Sequence, residues 1–129
     1  MNTFSKALVI VAGSAVAGMA SANMIGGVDV GNVDGLLAQT NSLGACGPGS
    51  SETAELCWIN SVLAPTTVTY GLKTEDVSYQ LVTGSSSLIG YELTSPTEYF
   101  MIKNSTWWAL FENHSNFDWA VIDTSLLNG

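Results

Sequence analysis

The stretch that decides the fold is WWALFENHSNFDWAVID, Trp107–Asp123. It gathers three tryptophans, two phenylalanines, the only histidine and three acids into seventeen residues. Apolar side chains recur with the two-residue period of a β-strand in both halves, and the polar NHSN between them is typical of a turn. The stretch therefore predicts a β-hairpin, with strands over Thr106–Glu112 and Phe117–Ser125.

The aromatic residues of this stretch allow two interpretations. Both faces of the first strand are mostly apolar, which suits an inner strand of a two-layer fold. Trp107 and Trp108 are adjacent, so they point to opposite faces and one of them is less buried. Packing within the core is the favoured interpretation, because large apolar residues usually lie inside. The alternative is stacking on a sugar ring, for which Trp107, Trp108 and Tyr99 are the candidate residues.

The rest of the chain after Pro65 has the same two-residue period. Short segments rich in β-branched and aromatic residues alternate with turn compositions such as TED, GSSS and SPT. The fold predicted is mainly β, an antiparallel sandwich or jelly-roll-like domain with one short helix, preceded by a signal-peptide helix. Besides the two strands of the hairpin, the predicted strands are Thr66–Lys73, Val77–Thr83, Ser87–Thr94 and Glu98–Asn104.

One segment before these strands has a helical pattern. Ser50–Pro65 reads SSETAELCWINSVLAP, with Ser51 as the N-cap and acids in the first turns. Cys46 and Cys57 are the only cysteines of the chain, and an even number in an exported protein predicts one disulfide. Residues 23–49 are rich in Gly, Asn and Ser; we expect one strand over Met24–Val30 and loop elsewhere.

The N-terminus predicts export. Lys6 precedes an apolar run from Ala7 to Ala20, and Ala20-Ser21-Ala22 fits signal peptidase, so we expect residues 1–22 to be cleaved. The apolar run is short for a membrane span, and no stable membrane insertion is expected after cleavage. Residues 23–129 then form a single secreted β-rich domain.

The charge of the chain excludes some partners. The formal net charge is −8, and the loss of Lys6 makes it −9. Such acidity repels phosphate backbones, so nucleic acid is not an expected partner.

No catalytic motif is present in the sequence. His114 is a lone histidine in a predicted turn, there is no Gly-x-Ser-x-Gly, and no pair of acids stands out as a glycosidase pair. The sequence DVGNVD, Asp29–Asp34, lacks the spacing of an EF-hand loop and is better explained by turn chemistry. We therefore predict no enzymatic activity, no metal and no cofactor.

Several strings resemble exported bacterial proteins that bear the PEP-CTERM sorting signal. SSETAELCWINSVL is similar to their helical segment, and TEYFMIKN, WALFEN and FDWAVID are similar to three later strings in the same order. The matching positions are Ser51, Glu52, Glu55, Leu56, Trp58–Leu63, Glu98–Phe100, Ile102, Lys103, Leu110, Phe111, Asn113 and Asp118–Val121.

The resemblance implies a function outside the cell. Proteins of this group are exported by Gram-negative bacteria, are processed by an exosortase and accompany exopolysaccharide. The sorting tail of the group is absent after DTSLLNG, so we expect either a C-terminally truncated product or a shortened, freely secreted relative. The predicted function is that of a non-catalytic cell-surface or exopolysaccharide-matrix protein, reached by Sec export, with extracellular polysaccharide as partner. The alternative is a small carbohydrate-active enzyme that uses a carboxylate pair.

Overall fold

The computed structural model describes residues 7–12, 23–47, 51–75, 78–93, 96–104, 106–113 and 118–128. It contains strands β1 to β10, the helix α1 and two short 3-10 helices. The strands are β1 (Ala7–Ala12), β2 (Met24–Ile25), β3 (Val28–Asp29), β4 (Gly35–Thr40), β5 (Thr69–Glu75), β6 (Gln80–Leu81), β7 (Leu88–Glu92), β8 (Tyr99–Lys103), β9 (Trp108–Glu112) and β10 (Trp119–Asp123). The helices are α1 (Glu52–Leu63) and the 3-10 helices Gly44–Cys46 and Thr124–Leu126.

The strands form an antiparallel sandwich, as predicted. The larger sheet has the order β4-β9-β8-β1-β5, and the smaller has the order β10-β7-β6. The hairpin β2–β3 forms a third, two-stranded sheet. All strand pairs among the described residues are antiparallel. This topology confirms a mainly β domain with one helix.

Three buried clusters correspond to the layers of the fold. The inter-sheet core joins the facing sides of the two sheets, because it combines residues of β8 and β9 with residues of β7 and β10. The helix-face core lies between α1 and the other side of the larger sheet, and the hairpin-face core lies between β2–β3 and the smaller sheet. The buried members of the inter-sheet core are Ile89, Tyr91, Leu93, Phe100, Ile102, Ala109, Phe111, Ala120 and Ile122. Those of the helix-face core are Leu43, Ala54, Trp58, Ile59, Val68, Met101 and Leu110. Those of the hairpin-face core are Ile25, Val30, Val82 and Val121.

The helix confirms the sequence prediction closely. Ser51 is the N-cap, and its hydroxyl accepts a hydrogen bond from the Ala54 amide at 3.1 Å. This bond satisfies one of the amides that have no partner within the helix. The helix ends at Leu63, just before Pro65, which cannot continue it. Each of the six strands predicted after Pro65 overlaps an observed strand, β5 to β10, although β5 continues to Glu75, two residues beyond its predicted end.

The predicted hairpin of the opening stretch is wrong. β9 pairs with β4 and β8 in the larger sheet, whereas β10 pairs with β7 in the smaller one. The two strands face each other across the inter-sheet core, where Phe111 and Ile122 are both buried. Asn113 directs the crossing between the sheets, because its amide donates to the Glu98 carbonyl at 2.8 Å and its Nδ2 donates to the Trp119 carbonyl at 3.1 Å. Residues 114–117 lie outside the described residues.

The segment before the helix holds more β structure than predicted. Met24–Val30 is a tight hairpin rather than one strand, because Gly26 and Gly27 adopt φ of 56° and 82° and turn the chain back. Gly35–Thr40, which was expected to be loop, is the edge strand β4, paired with β9. The sheet supplies a partner for a segment whose own composition is not typical of a strand.

The predicted signal peptide is described only in part. Residues 7–12 form β1 rather than part of a helix, and they lie between β8 and β5. Their sequence, ALVIVA, is rich in β-branched residues, and two neighbouring strands satisfy its backbone groups. Residues 1–6 and 13–22, including the expected cleavage site, lie outside the described residues. In the described part of the chain, no helix has the length and apolarity needed to cross a membrane.

Candidate functional site

The three candidate glycan-stacking residues are not brought together. Trp107 packs against the inter-sheet core, whereas Trp108 and Tyr99 pack against the helix-face core on the opposite side of the larger sheet. Trp108 lies opposite Lys103, and Tyr99 lies opposite Glu112, so these two rings occupy opposite ends of the β8–β9 hairpin. All three candidates are half-buried. A single sugar-binding face made of all three is therefore not present.

The Trp108 end of the hairpin contains a buried polar centre. Glu55 of α1 is fully buried, and its Oε2 accepts hydrogen bonds from Lys103 Nζ at 2.5 Å and from Trp108 Nε1 at 3.0 Å. Lys103 is only 12% exposed, so the ion pair is largely shielded from water. The other carboxylate oxygen, Oε1, is buried and has no hydrogen-bond partner among the residues that the structure describes. We call Glu55, Lys103 and Trp108 the helix–sheet lock.

The position of the lock follows from the local sequence. Glu55 lies in the first turn of α1, where the helix dipole favours a negative charge. It also precedes Trp58 and Ile59 by three and four positions, so it shares their buried face. Chemically, the lock offers one carboxylate that a substrate in solution cannot reach. It joins the helix to the sheet and is not arranged as a catalytic centre.

The Tyr99 end of the hairpin is more open and more acidic. Burial, reinforced by the carboxylates of Glu98 and Glu112, raises the pKa of the Tyr99 hydroxyl above its usual range. The Thr97 hydroxyl donates to the Tyr99 carbonyl at 2.8 Å and fixes the backbone at the start of β8. This end combines a half-buried aromatic ring with two nearby carboxylates, so it offers a stacking surface and hydrogen-bond acceptors together. We call Tyr99, Glu98 and Glu112 the acidic tyrosine site.

The carboxylates of the Asp29–Asp34 segment bind backbone amides. Asp29 Oδ1 accepts from the Gly31 amide at 2.9 Å, which is the turn chemistry predicted for this segment. Asp34 is buried and its Oδ2 accepts from the Val121 amide at 2.8 Å, while the Asp34 amide donates to the Val121 carbonyl. These bonds attach the segment to β10. Within the described ranges, no three His, Cys, Asp or Glu side chains are grouped so that they could hold a metal ion.

The predicted disulfide is confirmed. Cys46 and Cys57 are bonded, with Cα atoms 5.6 Å apart. The bond ties the 3-10 helix Gly44–Cys46 to the exposed side of α1. Cys46 packs against the helix-face core, whereas Cys57 is exposed.

Sequence reasoning missed the helix–sheet lock. It assigned Glu55 only to the helix dipole, although its spacing from Trp58 and Ile59 already placed it on the apolar face. A buried acid needs a cation, and Lys103 is one of only three basic residues in the chain. The sequence did not indicate that the buried acid Asp34 would bind the backbone of β10. His114, the single histidine, lies outside the described residues.

The chain was compared with family models, with curated proteins and with solved structures, and nothing matched.

Proposed function

We propose that this chain is a non-catalytic, Sec-exported β-sandwich domain of the cell surface or exopolysaccharide matrix of a Gram-negative bacterium. In this proposal, the leader is removed after Ala22 and the domain contacts extracellular polysaccharide. The observation that carries the proposal is the Cys46–Cys57 disulfide, because structural disulfides persist in oxidising compartments outside the cytosol. The resemblance of residues 51–63 and 98–121 to PEP-CTERM proteins supports the matrix location.

The polysaccharide contact is assigned to the acidic tyrosine site. Tyr99 is half-buried and therefore offers part of its ring, and Glu98 and Glu112 provide acceptors for sugar hydroxyl groups. A neutral glycan suits this site better than an anionic one, since the chain carries a net charge of −8. The buried carboxylates support a non-catalytic role, because Glu55 is paired with Lys103 and Asp34 with the backbone of β10.

Export is tested by the mass of the protein outside the cell. The full chain is expressed in a Gram-negative host, and the intact mass of the material in the periplasm and in the medium is measured before and after thiol labelling. The expected product begins at Asn23 and takes up no label, because both cysteines are bonded. A full-length product confined to the cytosol, or two labelled thiols in secreted protein, would contradict the proposal.

Glycan binding is tested on an array of neutral and anionic polysaccharides. Tyr99→Phe keeps the ring and should keep binding, whereas Tyr99→Leu removes the ring and should lower affinity about ten-fold, which corresponds to the loss of one stacking contact. Leu81→Ser, a change at an exposed residue of the smaller sheet, is the control and should bind like the wild type. Equal binding by all variants would contradict the assignment to Tyr99.

A separate assay of the same polysaccharides for hydrolysis addresses the enzymatic alternative. A glycosidase needs two carboxylates, and Glu98 and Glu112, which both lie near Tyr99, are the candidates at this site. Release of reducing ends by the wild type, abolished in Glu112→Gln, would favour the small carbohydrate-active enzyme over the binding domain.

A further inference from the structure

Strand β1 occupies an inner position of the larger sheet. It pairs antiparallel with β8, where Ala7 lies opposite Lys103 and Val11 opposite Tyr99. It also pairs antiparallel with β5, from Ala7 opposite Glu75 to Ala12 opposite Thr69. β5 and β8 therefore run parallel to each other and are separated by one strand.

The two strands that flank β1 are both attached to α1. On one side, Glu55 binds Lys103 at the end of β8. On the other side, the side-chain amide of Asn60 holds the backbone of Val68, which directly precedes β5: Asn60 Oδ1 accepts from the Val68 amide at 2.8 Å, and Nδ2 donates to its carbonyl at 3.2 Å. A single helix thus fixes both strands, so their separation does not depend on β1 alone.

Cleavage after Ala22 would remove β1 from this sheet. Neighbouring strands lie about 4.8 Å apart, so the slot left between β5 and β8 is about 10 Å wide and has unpaired backbone groups on both sides. We propose that this slot is an acceptor site for an extended apolar segment of a second polypeptide, which binds antiparallel to β8 and completes the sheet. This inference rests on the leader cleavage in the proposed function.

The geometry of the slot favours a free extended segment as the occupant over an edge strand of another folded sheet. The slot accepts one strand and has a wall on each side, so an edge strand that belongs to another sheet cannot enter it. The occupant therefore needs both of its own edges free, as in a flexible terminal segment of a partner. In a second folded copy of this chain, the strands with a free edge that the structure describes, such as β4, already belong to a sheet.

The neighbouring strand defines the chemistry of the occupant. Phe100 and Ile102 of β8 face the inter-sheet core, and Met101 faces the helix-face core; they are 0%, 1% and 0% exposed. A strand beside β8 therefore borders buried apolar side chains on both faces of the sheet, which suits a continuously apolar strand rather than an alternating one. The leader sequence ALVIVA meets this requirement over six residues, and the partner segment should resemble it in length and apolarity.

The slot is tested with the full chain after removal of its leader in vitro. A protease site replaces residues 17–22, the folded chain is cleaved, and a fluorescein-labelled peptide of residues 5–14, SKALVIVAGS, is added in excess. Fluorescence anisotropy should show saturable one-to-one binding to the cleaved protein. The uncleaved chain should bind at least ten-fold more weakly, because its own β1 fills the slot.

A matched peptide and a second measurement complete the test. The peptide with Val9→Pro and Val11→Pro lacks two ladder donors and should bind at least ten-fold more weakly. Hydrogen exchange of the β8 amides should quicken when the leader is lost and slow again when the wild-type peptide binds. Equal binding of the two peptides, equal binding by cleaved and uncleaved chains, or dimerisation of the cleaved chain without peptide would overturn the inference. Because cleavage is performed in vitro, these results are independent of whether the host exports the chain.

Discussion

The helix–sheet lock gives the most direct test of the structure. Lys103→Met keeps the length and the apolar stem of the side chain but removes the charge that neutralises Glu55. Glu55 is fully buried, so the variant leaves a carboxylate in an apolar interior, where the Trp108 indole is the one hydrogen-bond donor left to it among the described residues. We expect the variant to be folded but strongly destabilised.

The magnitude follows from the burial of the pair. Removing one partner of a buried ion pair costs about 3–5 kcal/mol. Lys103 is 12% exposed, and some water can approach it, so we expect about 3 kcal/mol. For a domain of this size, each kcal/mol lowers the melting temperature by about 4–8 °C, which gives a fall of about 12–24 °C.

Two further variants separate the charge from the shape of the side chains. In the double variant Glu55→Leu/Lys103→Met, no charge is left buried, and we expect most of the loss to be recovered except about 1 kcal/mol for the Trp108 N–H that loses its acceptor. Glu52→Leu is the matched control, because Glu52 is an exposed acid in the same helical turn. It should cost no more than about 1 kcal/mol, the contribution of the helix dipole.

Urea unfolding at neutral pH, followed by tryptophan fluorescence, measures these four proteins and the single variant Glu55→Leu, which completes the double-mutant cycle. The coupling free energy from the double-mutant cycle isolates the pair from the rest of the packing. A Lys103→Met variant within about 0.5 kcal/mol of the wild type would refute the reasoning, since it would mean that Glu55 is not a buried charge dependent on Lys103.

Three other outcomes are expected. Reduction of Cys46–Cys57 should lower the unfolding free energy by about 2.5–3 kcal/mol, the chain-entropy value for so short a loop; thermal melts with and without reductant measure it, and an unchanged melt would contradict it. Burial, reinforced by Tyr79, raises the pKa of Tyr91, so its stabilising contribution is complete below about pH 10 and is lost as pH rises further. Tyr91→Phe should therefore flatten the fall of the urea midpoint above about pH 10, and an equally steep fall would count against this assignment. Trp119→Ala should unfold or strongly destabilise the domain, by about 2–3 kcal/mol for a half-buried indole, rather than only weaken glycan binding. A melting curve like that of the wild type would show that Trp119 is not part of the core.

The sequence predicted the positions of the strands better than it predicted which strands pair with each other. The two-residue period identified β5 to β10, because side chains of a strand alternate between faces whatever lies beside it. The same period is silent on which strand pairs with which, and the hairpin expected over Trp107–Asp123 is instead two strands in different sheets. The polar NHSN connection is compatible with a tight turn and with a crossing between sheets. The tight turn was predicted because it is the shorter of the two connections.

The candidate site was harder to predict than the fold. Tyr99 and Trp108 carry the right ring chemistry, but only the register of β8 and β9 shows that they lie at opposite ends of one hairpin. The disulfide was predictable because the chain contains two cysteines and a leader-like start. Strand β4 was missed because GLLAQT has little strand character of its own, and its pairing with β9 stabilises it.

The pairing of β4 with β9 also affects the time at which the domain can fold. Gly35 lies opposite Glu112, so this edge of the sheet cannot close until nearly all of the polypeptide is available. Topologies dominated by such distant pairings fold on a scale of about milliseconds to seconds, far more slowly than helical bundles. Until residue 112 has been synthesised, β9 is therefore missing from between β4 and β8, and the larger sheet cannot form.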